Sequence, residues 1–262
     1  MTDTGPQHIH SRDNALLKDL RKLAHDSAAY RRQGRVWLEG DHLCRAALQR
    51  GLQPTHAVFQ ASYWDQVGHD WANTGGRTVT VEDTLFATVS ALESPARMGF
   101  VLPLPAQPVL QPDAATVILD GLQDAGNVGT ILRSAGAFGF RQVLAIKGTA
   151  ALWSPKVLRA GMGAHFGLGL LEGLEADRLD ALTVPLLATS SHQGDYLHRA
   201  KLPWPCAWVL GHEGQGVSTA LAARAWQFVR IVQPGGEESL NVGAAAAICL
   251  HASAAANFDS RT

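Results

Sequence analysis

Residues 117–140 read VILDGLQDAGNVGTILRSAGAFGF, and the fold turns on this stretch. VILDGL is a short apolar run closed by a polar, glycine-rich segment. Its length and branched residues predict a strand over 117–122, buried on both faces. The loop that follows feeds a helix opening near Asn127. Gly126 and Gly129 let the backbone turn tightly or approach another chain. Asn127 can cap that helix, and Arg133 lies two turns inside it. Strand, loop and helix in succession make half of a βαβ unit. The alternation continues downstream, with strands predicted over 142–146, 166–171, 184–189, 207–210 and 228–232 and helices between them. A last helix is predicted over 242–256. Runs such as CAWVL suit strands covered on both faces, hence a parallel sheet. Ligands of such sheets bind beyond the carboxyl ends of the strands. That rule selects three loops, 120–129, 211–218 and 233–241.

Upstream, VLPLPAQPVLQPDAAT (101–116) is a proline-rich extended linker. Before it the pattern predicts a smaller α/β domain. Ser11 caps a helix to about residue 25, with Leu16, Leu17, Leu20 and Leu23 on one face. Strands follow at 35–39, 55–60, 77–81 and 99–104, and helices at 42–50, 63–71 and 83–92. The domain boundaries expected are 1–105, with 1–10 a flexible tail, then a linker at 106–115 and a second domain over 116–262.

Composition narrows the classes. Hydrophobic residues make up 46% of 262, so each domain can bury a core. No apolar run approaches the roughly 18 residues of a membrane span, and the polar N-terminus lacks a signal-peptide core. Cys44, Cys206 and Cys249 are too sparse for a disulfide framework or zinc spacing, and fit buried thiols in a reducing cytosol. The net charge of −1 is not that of a nucleic-acid binder, but residues 11–50 carry nine Lys and Arg against five Asp and Glu. A solvated helix face explains that excess as readily as a contact with phosphates.

Two further segments carry chemistry. VLGHEGQGVS (209–218) sets three glycines around Glu213 at a strand-to-helix turn, where backbone N–H groups can meet a ligand. Its glycine order is not the G-x-G-x-x-G of a dinucleotide loop, which disfavours a nicotinamide-dependent oxidoreductase. IVQPGGEESLNVGAAAAICL (231–250) breaks at Pro234-Gly235-Gly236. Ser239 or Asn241 can then cap a helix whose small residues permit close packing. Taken singly, each segment could be no more than a capped helix or a tight turn.

Together, in this order and spacing, the three segments resemble the TrmH/SpoU family of RNA 2′-O-methyltransferases of the SPOUT superfamily. The family's N-x-G-x-x-x-R is matched by Asn127, Gly129 and Arg133. Its G-x-E-G-x-G turn is matched by Gly211, Glu213, Gly214 and Gly216. Its S-L-N-V entry to a small-residue helix is matched by Ser239, Leu240, Asn241 and Val242. The resemblance covers residues 116–258. More loosely, SRDNALLKDLRKL and YRRQGRVWLEGDHL look like the family's substrate-binding domain.

The resemblance implies an α/β protein. Its C-terminal part would be a parallel-sheet SPOUT domain with a deep trefoil knot, and its N-terminal part a small α/β domain that binds RNA. Periodicity alone reads as an open doubly wound sheet, because threaded chains are rare exceptions. The resemblance also implies S-adenosyl-L-methionine as cofactor, at Thr189, Ser190, Leu210, Gly211, Gly216, Ile231 and Leu240. The catalytic constellation it implies is Asn127, Arg133, Glu213, Ser239 and Asn241. It further implies a cytoplasmic homodimer joined through the catalytic domain, with no metal and no membrane partner. The two-domain layout favours ribosomal over transfer RNA, with Arg31, Arg32 and Arg35 as phosphate contacts. A non-catalytic RNA-binding protein on the same fold is the alternative, which the intact constellation disfavours.

The chemistry fits these residue types. A sulfonium is an excellent leaving group, so methyl transfer needs alignment of a hydroxyl and removal of its proton rather than an acid. A guanidinium is a poor base at neutral pH, so Arg133 is expected to stabilise a developing alkoxide. Three departures stand out. Ile231-Val232-Gln233 replaces an Ile-Pro-Met stretch, Gly161 stands where Ser is common, and His212 stands where Ser is frequent and reads as an exposed loop imidazole.

Overall fold

The computed structural model describes residues 5–91, 93–235 and 239–259. The chain divides into two units, Met1–Ala106 with Trp153–Phe166, and Gln107–Leu152 with Gly167–Thr262.

In the first unit the elements run β1 (Gln7–Ile9), α1 (Ala15–His25), α2 (Ala29–Gln33), β2 (Arg35–Glu39), α3 (Asp41–Gln49), β3 (His56–Gln60), α4 (Ala61–Trp71), β4 (Arg77–Val81), α5 (Asp83–Phe86) and β5 (Met98–Pro103). The sheet order is β1-β4-β3-β5-β2, with β5 antiparallel to both its neighbours and the other pairs parallel. Residues 7–9, expected as flexible tail, are strand β1, paired in register with Val79, Thr80 and Val81. Ser11 does not cap α1. Asn14 does, its side-chain oxygen accepting the Leu16 N–H at 2.9 Å. The helix expected over 83–92 ends at Phe86, where the chain tightens into turns and the Thr88 hydroxyl donates to the Leu85 carbonyl. Leu92 lies outside the described residues.

The second unit begins inside the proline-rich stretch. Gln111 and Gln142 exchange hydrogen bonds, and Leu110 joins a buried cluster with Ile118, Leu144 and Val209, so the linker is laid against this unit. Then come β6 (Thr116–Asp120), α6 (Ala125–Ala137) and β7 (Gln142–Ile146). Next α7 (Pro155–Gly161), capped by Ser154, returns to the first unit and packs on α1 and β2. Gly163 follows at φ 87°, where a Cβ would stand 2.7 Å from Cβ of Ala46, so any larger residue would push α7 off the first unit's α3. Trp153–Phe166 lies inside the 116–262 range expected for the second domain and clusters with the first unit.

The second unit resumes with β8 (Gly169–Leu174), β9 (Leu186–Thr189), β10 (Asp195–Tyr196), β11 (Ala207–Gly211), α8 (Thr219–Ala222), β12 (Gln227–Arg230) and α9 (Val242–Asp259). The strand expected over 166–171 starts later because Ala164–Gly167 forms a 3-10 turn. All pairs in this sheet are parallel, in the order β10-β12-β9-β11-β6-β7-β8, the parallel sheet expected of this part of the chain. Registers set Gly211 beside Asp120, and Val229 beside Thr189. Four adjacent strands therefore end side by side at Asp120, Gly211, Thr189 and Arg230, above a core of fully buried β6 and β11.

Candidate active site

The loops leaving those strand ends are the ones the sequence selected, and they are tied together by side chains. Helix α6 is capped by Asp124, whose carboxylate accepts the Asn127 N–H at 2.7 Å. This corrects the expectation that Asn127 is the cap, and it leaves the Asn127 amide free for longer-range bonds. Its Nδ2 donates to Glu213 Oε1 at 3.2 Å, and its Oδ1 accepts from Asn241 Nδ2 at 2.9 Å. Asn241 caps α9, its Oδ1 accepting the N–H groups of Gly243 and Ala244. Three loops 86 and 114 residues apart are thus joined through one amide.

Glu213 holds the first loop further. Its carboxylate accepts the backbone N–H groups of Gln123 at 3.3 Å and Asp124 at 3.2 Å. Partial burial pushes its carboxyl up. The bonds from its own backbone N–H, from Asn127 and from Gln123 and Asp124 outweigh that and hold it below the ordinary glutamate value. A carboxylate so held is a weakened base. Its turn is equally constrained. His212 and Gly216 exchange backbone bonds at 2.9 and 2.8 Å, and a Cβ on Gly211 would lie 2.1 Å from the Gly216 carbonyl carbon. Only glycine fits at 211. Ser218 N–H donates to the buried Asp120 carboxylate at 2.6 Å, fixing the far end of the turn to β6.

These loops surround a cavity of about 290 Å³. Its wall includes Thr189, Ser190, Gly211, Gly216, Ile231 and Leu240, six of the seven residues expected to hold a cofactor, together with Glu213, Ser239 and Asn241. Leu210 does not line it and is fully buried in β11. Thr189 directs its hydroxyl to the Val209 carbonyl, and Ser190 accepts the N–H groups of His192 and Gln193. Asn127 and Arg133 are not on the wall. Arg133 follows Asn127 by six residues, about 120° round the helix. It is exposed and has no hydrogen bond or ion pair among the described residues.

Sequence reasoning missed Val242, Ala245 and Cys249, which line the cavity from α9. Their i, i+3, i+7 spacing was a readable signal of one helix face. It also set aside His212, which is half-buried on the wall, and had no signal for Ser191 or Val229. Of the residues expected at RNA, Arg32 pairs with Asp26, Arg35 with Asp19 at 2.5 Å, and Arg31 lies over the Tyr30 ring. No helix among the described residues is long and apolar enough to cross a membrane.

Residues 114–251 match the model of the SpoU rRNA Methylase family. The chain is 28% identical over 249 residues to the 23S rRNA (guanosine(2553)-2′-O)-methyltransferase of Bacillus subtilis, covering 94% of this chain and 98% of that one. It is 30% identical to an uncharacterized tRNA/rRNA methyltransferase of Synechocystis, over 93% and 92% of the two chains. The structure of an rRNA methyltransferase from Sinorhizobium meliloti with bound AdoMet superposes with a TM-score of 0.81 at 25% identity, covering 94% of this chain and 97% of that one.

Proposed function

The chain belongs to the SpoU rRNA Methylase family, and from that premise we propose how its own residues carry the family's reaction. It is an S-adenosylmethionine-dependent methyltransferase of RNA ribose 2′-hydroxyls. When bound, the cofactor supplies a methyl group activated on a sulfonium. The cavity suits it. Val229, Ile231, Leu240, Val242 and Ala245 offer an apolar slot, and Ser190, Ser191 and Ser239 offer hydroxyls. Gln233, also on the wall, carries a buried side-chain oxygen with no hydrogen-bond partner among the described residues, the kind of group a ligand completes.

The observation that carries the assignment of roles is the Glu213–Asn127–Asn241 chain of hydrogen bonds. Glu213 is a clamp, its lone pairs engaged and its basicity lowered. Asn127 and Asn241 hold the catalytic helix α6 against the cavity wall. Ser239, exposed and on the cavity wall, is assigned here to bond the substrate ribose. Arg133 stabilises the developing alkoxide, and a second copy of the chain completes that arrangement. Helix α9 is mostly apolar, yet Ala244, Ile248 and Phe258, with His251 among them, form an exposed stripe along it. It packs beside α6, which exposes Thr130, Arg133 and Ala137. An apolar helix face left to water is the signature of an interface. A dimer through it gathers Arg133 to a cavity that a single chain leaves without it.

Ribosomal RNA is the substrate class favoured by the relatives, and the three buried free thiols suit a reducing cytoplasm. The test is transfer of labelled methyl from S-adenosylmethionine to unmodified ribosomal and transfer RNA, followed by nucleoside analysis. Label in a 2′-O-methylnucleoside of ribosomal RNA is the expected result. Label confined to transfer RNA would reverse the substrate assignment.

A further inference from the structure

The ring of His212 is used in a specific way within its turn. Gly214 N–H donates to Nδ1 at 3.0 Å. While that bond holds, Nδ1 carries no proton, so the ring's own N–H is on Nε2. The His212 backbone is fixed by its paired bonds to Gly216, and the side chain is half-buried on the cavity wall. The turn therefore fixes the ring of a wall residue, with its one N–H on Nε2. Among the described residues, the wall includes no Lys or Arg, and its other titratable side chains are the acidic Glu213 and the buried Cys249. S-adenosylmethionine ends in an amino-acid carboxylate, which needs donors.

We propose that His212 is the side chain that binds the cofactor's carboxylate, by donating its Nε2–H to it. The inference rests on the cavity being the S-adenosylmethionine pocket. A hydrogen bond to an ionised acceptor is stronger than a neutral pair, so its removal should weaken binding about tenfold or more.

Two substitutions separate the two ring nitrogens. His212→Asn puts an amide oxygen near the place of Nδ1, keeping the acceptor for Gly214 N–H and losing the cavity donor. His212→Gln puts an amide N–H near the place of Nε2, keeping the cavity donor and losing the turn acceptor. The probes are S-adenosylhomocysteine and 5′-methylthioadenosine, which lacks the carboxylate, both titrated calorimetrically into the purified full chain. Expected is about tenfold weaker S-adenosylhomocysteine binding in His212→Asn, unchanged 5′-methylthioadenosine binding, and near wild-type S-adenosylhomocysteine binding in His212→Gln. Equal losses for both ligands, or a loss in His212→Gln but not in His212→Asn, would overturn the proposal and leave His212 as a turn residue only. Wild type binding neither probe would remove the cofactor reading, and this proposal with it.

Discussion

Replacing Asn127 by aspartate alters almost no atoms and reverses one interaction. In the wild type, Asn127 Nδ2 donates to Glu213 Oε1 at 3.2 Å while its Oδ1 accepts from Asn241. Aspartate keeps the acceptor for Asn241 and sets a second carboxylate against Glu213. Two like charges at that separation repel by about 1.3 kcal/mol in bulk water and about four times as much at an effective dielectric of 20. Glu213 is largely open to solvent, so the lower figure governs, to which one lost hydrogen bond adds about 0.5–1 kcal/mol. The sum, about 2 kcal/mol, lowers the melting temperature by roughly 4–8 °C for a chain of this size. Like charges raise the pKa of one member of the pair, so the penalty is present above that raised value and is relieved as pH falls through it.

The assay is thermal unfolding of wild type and Asn127→Asp at about pH 8 and about pH 5, with the gap expected to narrow at the lower value. Adding Glu213→Gln should recover part of the loss at pH 8, since glutamine can donate to the new carboxylate. If the gap is the same at both pH values and the double variant is no more stable than Asn127→Asp, then Glu213 and Asn127 are not coupled as described.

Arg133→Ala should leave S-adenosylhomocysteine affinity unchanged and lower kcat about 10²–10³-fold, as for loss of one group that stabilises transition-state charge; a rate near wild type would remove Arg133 from the reaction. Replacing Arg31, Arg32 and Arg35 together by alanine should flatten the salt dependence of RNA binding. Because Arg32 and Arg35 are already paired with Asp26 and Asp19, the slope should fall by about one to two rather than three, and an unchanged slope would reject the contact. Ile248→Glu places a charge on the exposed α9 stripe and should shift the proposed dimer to monomers in sedimentation; a wild-type dimer unaltered by the change would move the interface elsewhere.

Strands β2, β4 and β7 fall on the residues the sequence predicts, because β2 and β7 are compact apolar runs and β4 is a run of β-branched residues, signals that are read locally. What the sequence could not show depends on distant partners. β1 has a single buried residue, Ile9, and exists because β4 offers it an edge. Helix α7 reads as part of the parallel-sheet domain, and only its contacts with α1 and β2 assign it to the other unit. In DAGN, Asp124 and Asn127 are both good caps. The structure gives the role to Asp124 because its oxygen reaches the third N–H of the helix, which is that of Asn127 itself. The cavity wall was legible where motif residues carry it. It was not legible at Leu210, whose place one residue before Gly211 in β11 turns it into the core.

That displaced cap explains how the site is built. With Asp124 as the cap, both ends of the Asn127 amide are turned to other loops. By ceding the cap, Asn127 becomes a two-way link, accepting from one loop and donating to another. The links of this chain are amides and one carboxylate whose basicity is depressed, so nothing in it is tuned to take a proton near neutral pH. Such an arrangement suits a reaction whose leaving group needs no acid and whose barrier is lowered by alignment. It also explains why Arg133 can stand apart from the wall. The positioning groups must be fixed within one chain, because each loop's geometry depends on the others. In the role proposed for Arg133, the charge that stabilises the alkoxide needs only to arrive, and the proposed α6–α9 interface is where a second copy would bring it.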